Sequence, residues 1–140
     1  MKIILVFCLF FSFSFAKFSR NSYEMIVLDS NSKLVWQDNI DNVKLHLSFE
    51  KAKKYCAKLS LADFNDWRLP DIDELGTIVD KTNHYNIKPI FKFTKRAGYW
   101  SRNGLLRSFD FYGYYMNFKS GTIYYYNRLN SEYIRCVRKN

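Results

Sequence analysis

Histidine is nearly missing from this chain: His46 and His84 are the only two among 140 residues, and both fall in stretches that read as loops. Nucleophilic catalysis needs a Ser or Cys beside a base and an orienting group, and zinc needs three or four His, Cys or acidic ligands at suitable spacing. Neither constellation is visible, so neither an enzyme nor a metal centre of that kind is expected. Long apolar runs are lacking too. The longest, Ile3 to Phe15, covers about 13 residues, against the roughly 20 needed to cross a bilayer as a helix. No repeat or low-complexity segment is found. Acids are the scarcer charge, 13 against 22 Lys and Arg. What is present is apolar and aromatic material, 48% and 19% of the chain, enough for one compact domain and too little for two.

The first sixteen residues read as a separate element. Met1-Lys2 gives a short positive start, the apolar run is broken only by Ser12 and Ser14, and Ser14-Phe15-Ala16 has the small-x-small form of a signal-peptidase site. Residues 1–16 are therefore expected to be a cleaved secretory signal, with an uncleaved anchor as the alternative. Cys8 lacks the small residues that precede a lipidated cysteine, so no lipoprotein is expected. Cleavage removes Lys2 and no acid, leaving a net charge of +8. In a periplasmic or secreted domain such an excess favours acidic polymers: sulfated or uronic polysaccharide, lipid head groups or extracellular nucleic acid. The alternative is a generally basic surface with no dedicated partner. Cys56 and Cys136 remain, and an even pair in an oxidising compartment reads as one disulfide. It closes a loop of about 80 residues, for which chain entropy gives roughly 4–4.5 kcal/mol. Free thiols are the other reading.

Residues 17–23 are expected to be a flexible lead-in to a domain over 24–140. Glu24 to Leu28 and Lys33 to Gln37 flank the turn cluster Asp29-Ser30-Asn31-Ser32, the pattern of a hairpin with Trp36 toward the core. After a polar loop from Asp38 to Lys44, Ser48 can cap a helix over 49–59. Phe49, Ala52, Cys56 and Leu59 lie on one face, with Lys51, Lys53, Lys54 and Lys58 mostly off it. Those lysines read as a solvated face rather than a polyanion stripe. Asp66-Trp67-Arg68-Leu69-Pro70 then forces a turn, because Pro70 fixes its own φ and keeps Leu69 extended. Asp71 and Glu74 form a capping box for a second helix over 72–80, which Gly76 weakens by roughly 1 kcal/mol. From 81 to 98 no period survives. Strands follow at Tyr99-Trp100-Ser101, Phe109 to Tyr112, Tyr114 to Phe118 and Thr122 to Tyr126, the last two around Lys119-Ser120-Gly121. Tyr133 to Arg138 reads as the closing strand.

Several of these residues carry a resemblance. Trp36-Gln37-Asp38, Ala52-x-x-Tyr55-Cys56-x-x-Leu59, Asp66-Trp67-Arg68-Leu69-Pro70-x-x-x-Glu74-Leu75, Tyr99-Trp100-Ser101, Gly121 and Arg135-Cys136-Val137-Arg138 resemble, in order and spacing, the family named after the C-terminal domain of the Legionella collagen-like (Lcl) adhesin. The resemblance implies an exported bacterial α+β module of C-type-lectin-like fold. Two helices stand beside a small, twisted, mostly antiparallel sheet, and a long loop region precedes the last strands. It also implies that Cys56 and Cys136 are the family's cysteine pair, and that Trp67, Arg68 and Pro70 are its signature aromatic, cation and proline. The family's named member resembles a binder of sulfated polysaccharide and host surfaces. This chain departs from the pattern with Asp71 where Thr is usual, and with Arg102-Asn103 after Ser101.

Arg68 reads as structural, satisfying loop carbonyls or pairing with an acid such as Glu74, rather than as a ligand contact. Trp67, Leu69 and Trp100 read as core. The ligand candidates are the cations and aromatics of the long loop and strand ends: Lys92, Lys95, Arg96, Arg102, Arg107 and Lys119, with Tyr112, Tyr124 and Tyr126. Arginine grips sulfate or carboxylate bidentately and tyrosine offers flat contact area; the competing reading is solvated strand ends. Asp63, Asn65 and Asp66 could contribute to a calcium shell but also suit ordinary turn chemistry, and no cofactor is expected. The partner is expected to be anionic polysaccharide or another exported protein, with no dedicated nucleic-acid site and no membrane span after cleavage. The rivals to a glycan-binding module are an envelope structural or protein-interaction domain and an enzyme of the formylglycine-generating type.

Overall fold

Short β-branched and aliphatic runs set up the first sheet. In the computed structural model, which describes residues 17–140, β1 (Phe18–Asn21), β2 (Ile26–Asp29) and β3 (Leu34–Gln37) form a meander. The Asp29 carboxylate steadies its second turn by accepting the N–H groups of Asn31 and Ser32. β9 (Val137–Lys139) completes the sheet in the order β1-β2-β3-β9, antiparallel throughout. The leader reading for 1–16, with Cys8, lies outside the described residues. The flexible lead-in is corrected, since most of it is β1. Its sequence is polar enough to hide the strand, but Phe18 packs edge-on against Phe91 at 6.4 Å and Arg20 reaches Asp38.

Between the sheets come α1 (Asp41–Lys44), β4 (His46–Ser48), α2 (Phe49–Lys58) and α3 (Ile72–Thr77). The second sheet adds β5 (Gly98–Arg107), β6 (Asp110–Asn117), β7 (Thr122–Asn127) and β8 (Ser131–Tyr133) in the order β4-β8-β5-β6-β7. Only its β5–β8 pair is parallel. Among the described residues the fold is α+β, with three helices and two mostly antiparallel sheets in place of the expected two helices and one sheet. The closing strand expected over 133–138 is two strands: β8 ends at Tyr133 in one sheet, β9 starts at Val137 in the other, and Ile134 to Cys136 crosses between them. β5 runs through 102–107, where a connection was expected, by absorbing an irregularity between Trp100 and Gly104.

The inner part of the second sheet separates two apolar clusters. One gathers Trp36, Leu75, Ile78, Ile87, Tyr99 and Phe118; the other gathers Phe49, Ala52, Cys56, Trp67, Trp100 and Ile134. Gly113 lets α2 approach, because a Cβ there would overlap Phe49 and Trp100. The Cys56–Cys136 disulfide ties α2 to the crossing segment.

The tryptophan-to-proline corner is wired to both sheets. Arg68 exchanges backbone hydrogen bonds of 2.9 and 2.8 Å with Val137, and the Arg102 N–H donates to Pro70 O at 2.8 Å. Asp71 caps α3, its N–H donating to Glu74 Oε2 at 2.7 Å. Arg68 grips both oxygens of Glu74, at 2.8 and 2.7 Å.

Candidate functional site

The irregular segment 81–97 is held from beneath by two buried charges. Asp38 follows β3, and its carboxylate accepts four donors: Arg20 Nε at 2.6 Å, Arg135 Nη1 at 3.1 Å, and the N–H groups of Lys92 and Phe93, each at 3.1 Å. Burial raises the Asp38 pKa; Arg135, Arg20 and the two amides outweigh it, so the group is held below the ordinary carboxylate range. Arg135, on the crossing segment, donates to Gln37 O at 2.7 Å, Phe93 O at 2.6 Å and Thr94 Oγ1 at 3.0 Å. Its Nε finds no acceptor among the described residues, and its guanidinium lies 4.8 Å from the Phe91 ring. Tyr99 Oη accepts the Lys95 N–H at 2.9 Å and donates to Asn42 O at 2.7 Å. A loop without secondary structure is thus fixed at four successive residues from 92 to 95.

Above this anchor the segment carries a cleft of about 290 Å³, lined by residues that include Tyr85, Pro89, Phe91 and Lys92. Asn86 Nδ2 donates to the carbonyls of Phe118 and Lys119, and the Phe118 N–H to Ala97 O, which joins the loop to the β6–β7 turn. Lys81 lies against Gly121, whose φ of +70° that turn requires. Lys92, Lys95, Arg96 and Lys119 are exposed here, and among the described residues none has a carboxylate within ion-pair distance.

The other expected ligand residues do not join this group. Ten residues of β5, about 30 Å at 3.3 Å per residue, separate the loop from Arg107. Arg102 is held by Asp71 at 2.5 and 3.0 Å. Arg107 donates to Tyr125 Oη at 2.6 Å, and Tyr112 packs edge-on against the same ring. Tyr124 stacks on Tyr115, opposite it in the β6–β7 register, and Tyr126 leans on Tyr115 from the same side. Strand alternation puts Tyr112 on one face of the sheet and Tyr124 with Tyr126 on the other. Of the residues weighed for calcium, Asp66 is taken up by Arg138 at 2.6 and 3.2 Å. The lysines of α2 line a second groove, about 410 Å³, in which Lys51, Lys54 and Lys58 share the wall with Asp41.

Composition gives no sign of the two buried charges: Asp38 opens what reads as a polar loop, and Arg135 stands among the residues of the closing segment with nothing to mark it as buried. Glu132 on β8 was missed entirely. It is half-buried over Gly98 and beside Tyr115, and burial pushes its pKa up to about 7. A group whose folded pKa is raised contributes stability below its unfolded value, near 4.5, and loses it as pH rises through the folded value. Glu132→Gln is therefore expected to stabilise the protein by about 1–2 kcal/mol at pH 8, after discounting for solvent screening, and to change little at pH 4. Melting curves at the two pH values check this; equal effects at both would reject it.

A family model described as the Lcl C-terminal domain matches residues 25–138. No curated protein and no solved structure matches the chain.

Proposed function

The chain belongs to the Lcl C-terminal domain family, and on that footing we propose that it is an exported, adhesin-like binding module whose ligand is an anionic glycan, sulfated or uronic. The leader is cut near Ala16 in this reading, and the fold is of the C-type-lectin kind. The observation that carries it is the loop end of the second sheet: Lys92, Lys95, Arg96 and Lys119, exposed and without acidic partners, on backbone immobilised from below beside an aromatic cleft. Fixing the backbone in advance lowers the ordering cost of binding, and unpaired surface cations attract a polyanion in a salt-dependent way. Arg102, paired with Asp71, and Arg107, at the far end of β5 from the loop, contribute less in this reading than the sequence suggests.

Chromatography on heparin resin tests the assignment. The K92A/K95A/R96A/K119A variant is expected to elute at roughly half the salt of the parent or below, and R102A/R107A close to the parent. Equal elution of parent and fourfold variant would reject the loop face.

A protein-interaction role has one observation in its favour. β7 is a sheet edge in which all four residues from Ile123 to Tyr126 are exposed, and such an edge can accept a partner strand. Co-purification of one exported protein, with no signal on a glycan array, would favour that role. A formylglycine-generating type of reaction needs reactive cysteines, and here both are buried and bonded to each other.

A further inference from the structure

The far end of the second sheet carries apolar side chains that nothing among the described residues covers. Phe109 is 99% exposed, Leu129 83%, Leu106 60% and Phe111 47%. They are neighbours. Leu106 stands opposite Phe111 in the β5–β6 register, Phe109 sits in the two-residue turn joining those strands, and the Arg128 N–H, one residue before Leu129, donates to Phe111 O.

The turn makes the arrangement costly twice. Ser108 and Phe109 both have positive φ, 50° and 66°, where hairpins of this length ordinarily place Asn-Gly. A phenylalanine at such a position meets backbone strain and also leaves its ring in water, with no gain from packing within this chain. An exposed apolar patch larger than isolated surface residues marks a contact surface.

What lies behind the tip says which contact. Arg107 and Arg128 flank it, and behind them come Tyr112, Tyr125 and Tyr126. Arg128 lies 4.3 Å over the Phe111 ring and Arg107 6.0 Å over Tyr125. Asp110, the first residue of β6, is the acid next to the turn, and Glu50 meets Arg128 at 3.6 Å. From Phe109 to Tyr112 is three strand residues, about 10 Å. An apolar point, then a belt of arginine and tyrosine, is the sequence of environments met on leaving hydrocarbon for the head-group layer. The spacing matches the 5–10 Å to which interfacial elements sink. The tip is formed by two turns, with a cleft of about 260 Å³ between them lined by residues that include Phe109, Phe111, Arg128 and Leu129. The net charge of +8 left without residues 1–16 suits an anionic layer.

We propose that the β5–β6 turn and the β7–β8 turn together form a wedge that inserts Phe109 and Leu129 into the surface of an anionic phospholipid bilayer. This wedge lies at the opposite end of β5 from the glycan-binding loop, so one molecule can hold a membrane and a glycan at once.

Flotation with vesicles of phosphatidylcholine alone, and with one quarter phosphatidylglycerol, tests it on the chain without residues 1–16. The protein is expected to float with the anionic vesicles. F109S/L129S should lower that partition at least tenfold while leaving the melting temperature and heparin elution unchanged, since both side chains are exposed. R107Q/R128Q should reduce the preference for anionic over neutral vesicles. Failure of the parent to float, or equal flotation of parent and F109S/L129S, overturns the proposal. So does self-association by light scattering that F109S/L129S abolishes in a protein that binds no vesicles, because the tip is then a protein contact.

Discussion

Without the Cys56–Cys136 bridge the melting temperature is expected to fall by about 10–20 °C. Closing a loop with the bridge's separation of 80 residues removes unfolded-state entropy worth about 4.5 kcal/mol in the chain-entropy account, and in a domain of this size each kcal/mol moves the midpoint by about 3–5 °C. Position increases the effect. α2 has ten residues, short of the roughly 12–15 that an isolated helix needs, so its buried face of Phe49, Ala52 and Cys56 must be held by contact. The other sulfur sits on the only segment that passes between β8 and β9, and is flanked there by Arg135 and Val137. Reduction in place and C56A/C136A should both show the drop, the alanine pair slightly more because two buried sulfurs are lost as well. A melting temperature unmoved by reductant would show that the two halves hold together without the bridge.

Local signals in the sequence translate directly into structure. Proline at 70 and an acid three residues after Asp71 allow little besides a capped helix start, and spacing alone places Phe49, Ala52 and Cys56 on one face. The turn at Gly121 has the residue that its φ requires. What depends on distant pairing is hidden. β1 exists because Phe18 and Arg20 find Phe91 and Asp38 across the fold, and nothing within residues 17–23 announces it. The division of 133–138 between two sheets cannot be read from the run Tyr-Ile-Arg-Cys-Val-Arg, because it holds no Gly, Pro, Asn or Asp to mark a break. The proposed binding face shows the same limit. Charge counts the cations but neither their partners nor their places, so Arg102 and Arg107 look equivalent to Lys95 and Arg96 until Asp71 is seen beside the first and the length of β5 between the loop and the second.

Replacing Asp38 by Asn is expected to cost about 3–5 kcal/mol, because it leaves the guanidinium of Arg135 buried without its counter-charge and turns an acceptor of four hydrogen bonds into a group that can also donate. The cost has a pH signature. A carboxyl held below its ordinary pKa contributes stability above the unfolded value, near 4, and loses it as pH falls through the lower folded value. The parent should therefore lose stability steeply below about pH 4, and D38N should lose less over the same interval. Since Asp38 accepts the Lys92 and Phe93 N–H groups, the substitution reaches the surface from below. Hydrogen exchange at those two amides should accelerate more than in the core strands, and heparin elution should move to lower salt although no surface cation has been removed. Arg135→Met in the same background should cost much less than it does alone, as expected of two groups in one buried network. Denaturant melts of the single and double variants measure that coupling. Additive costs, or loop amides that exchange at the parent's rate in D38N, would mean that the buried pair does not hold residues 92–95 in place.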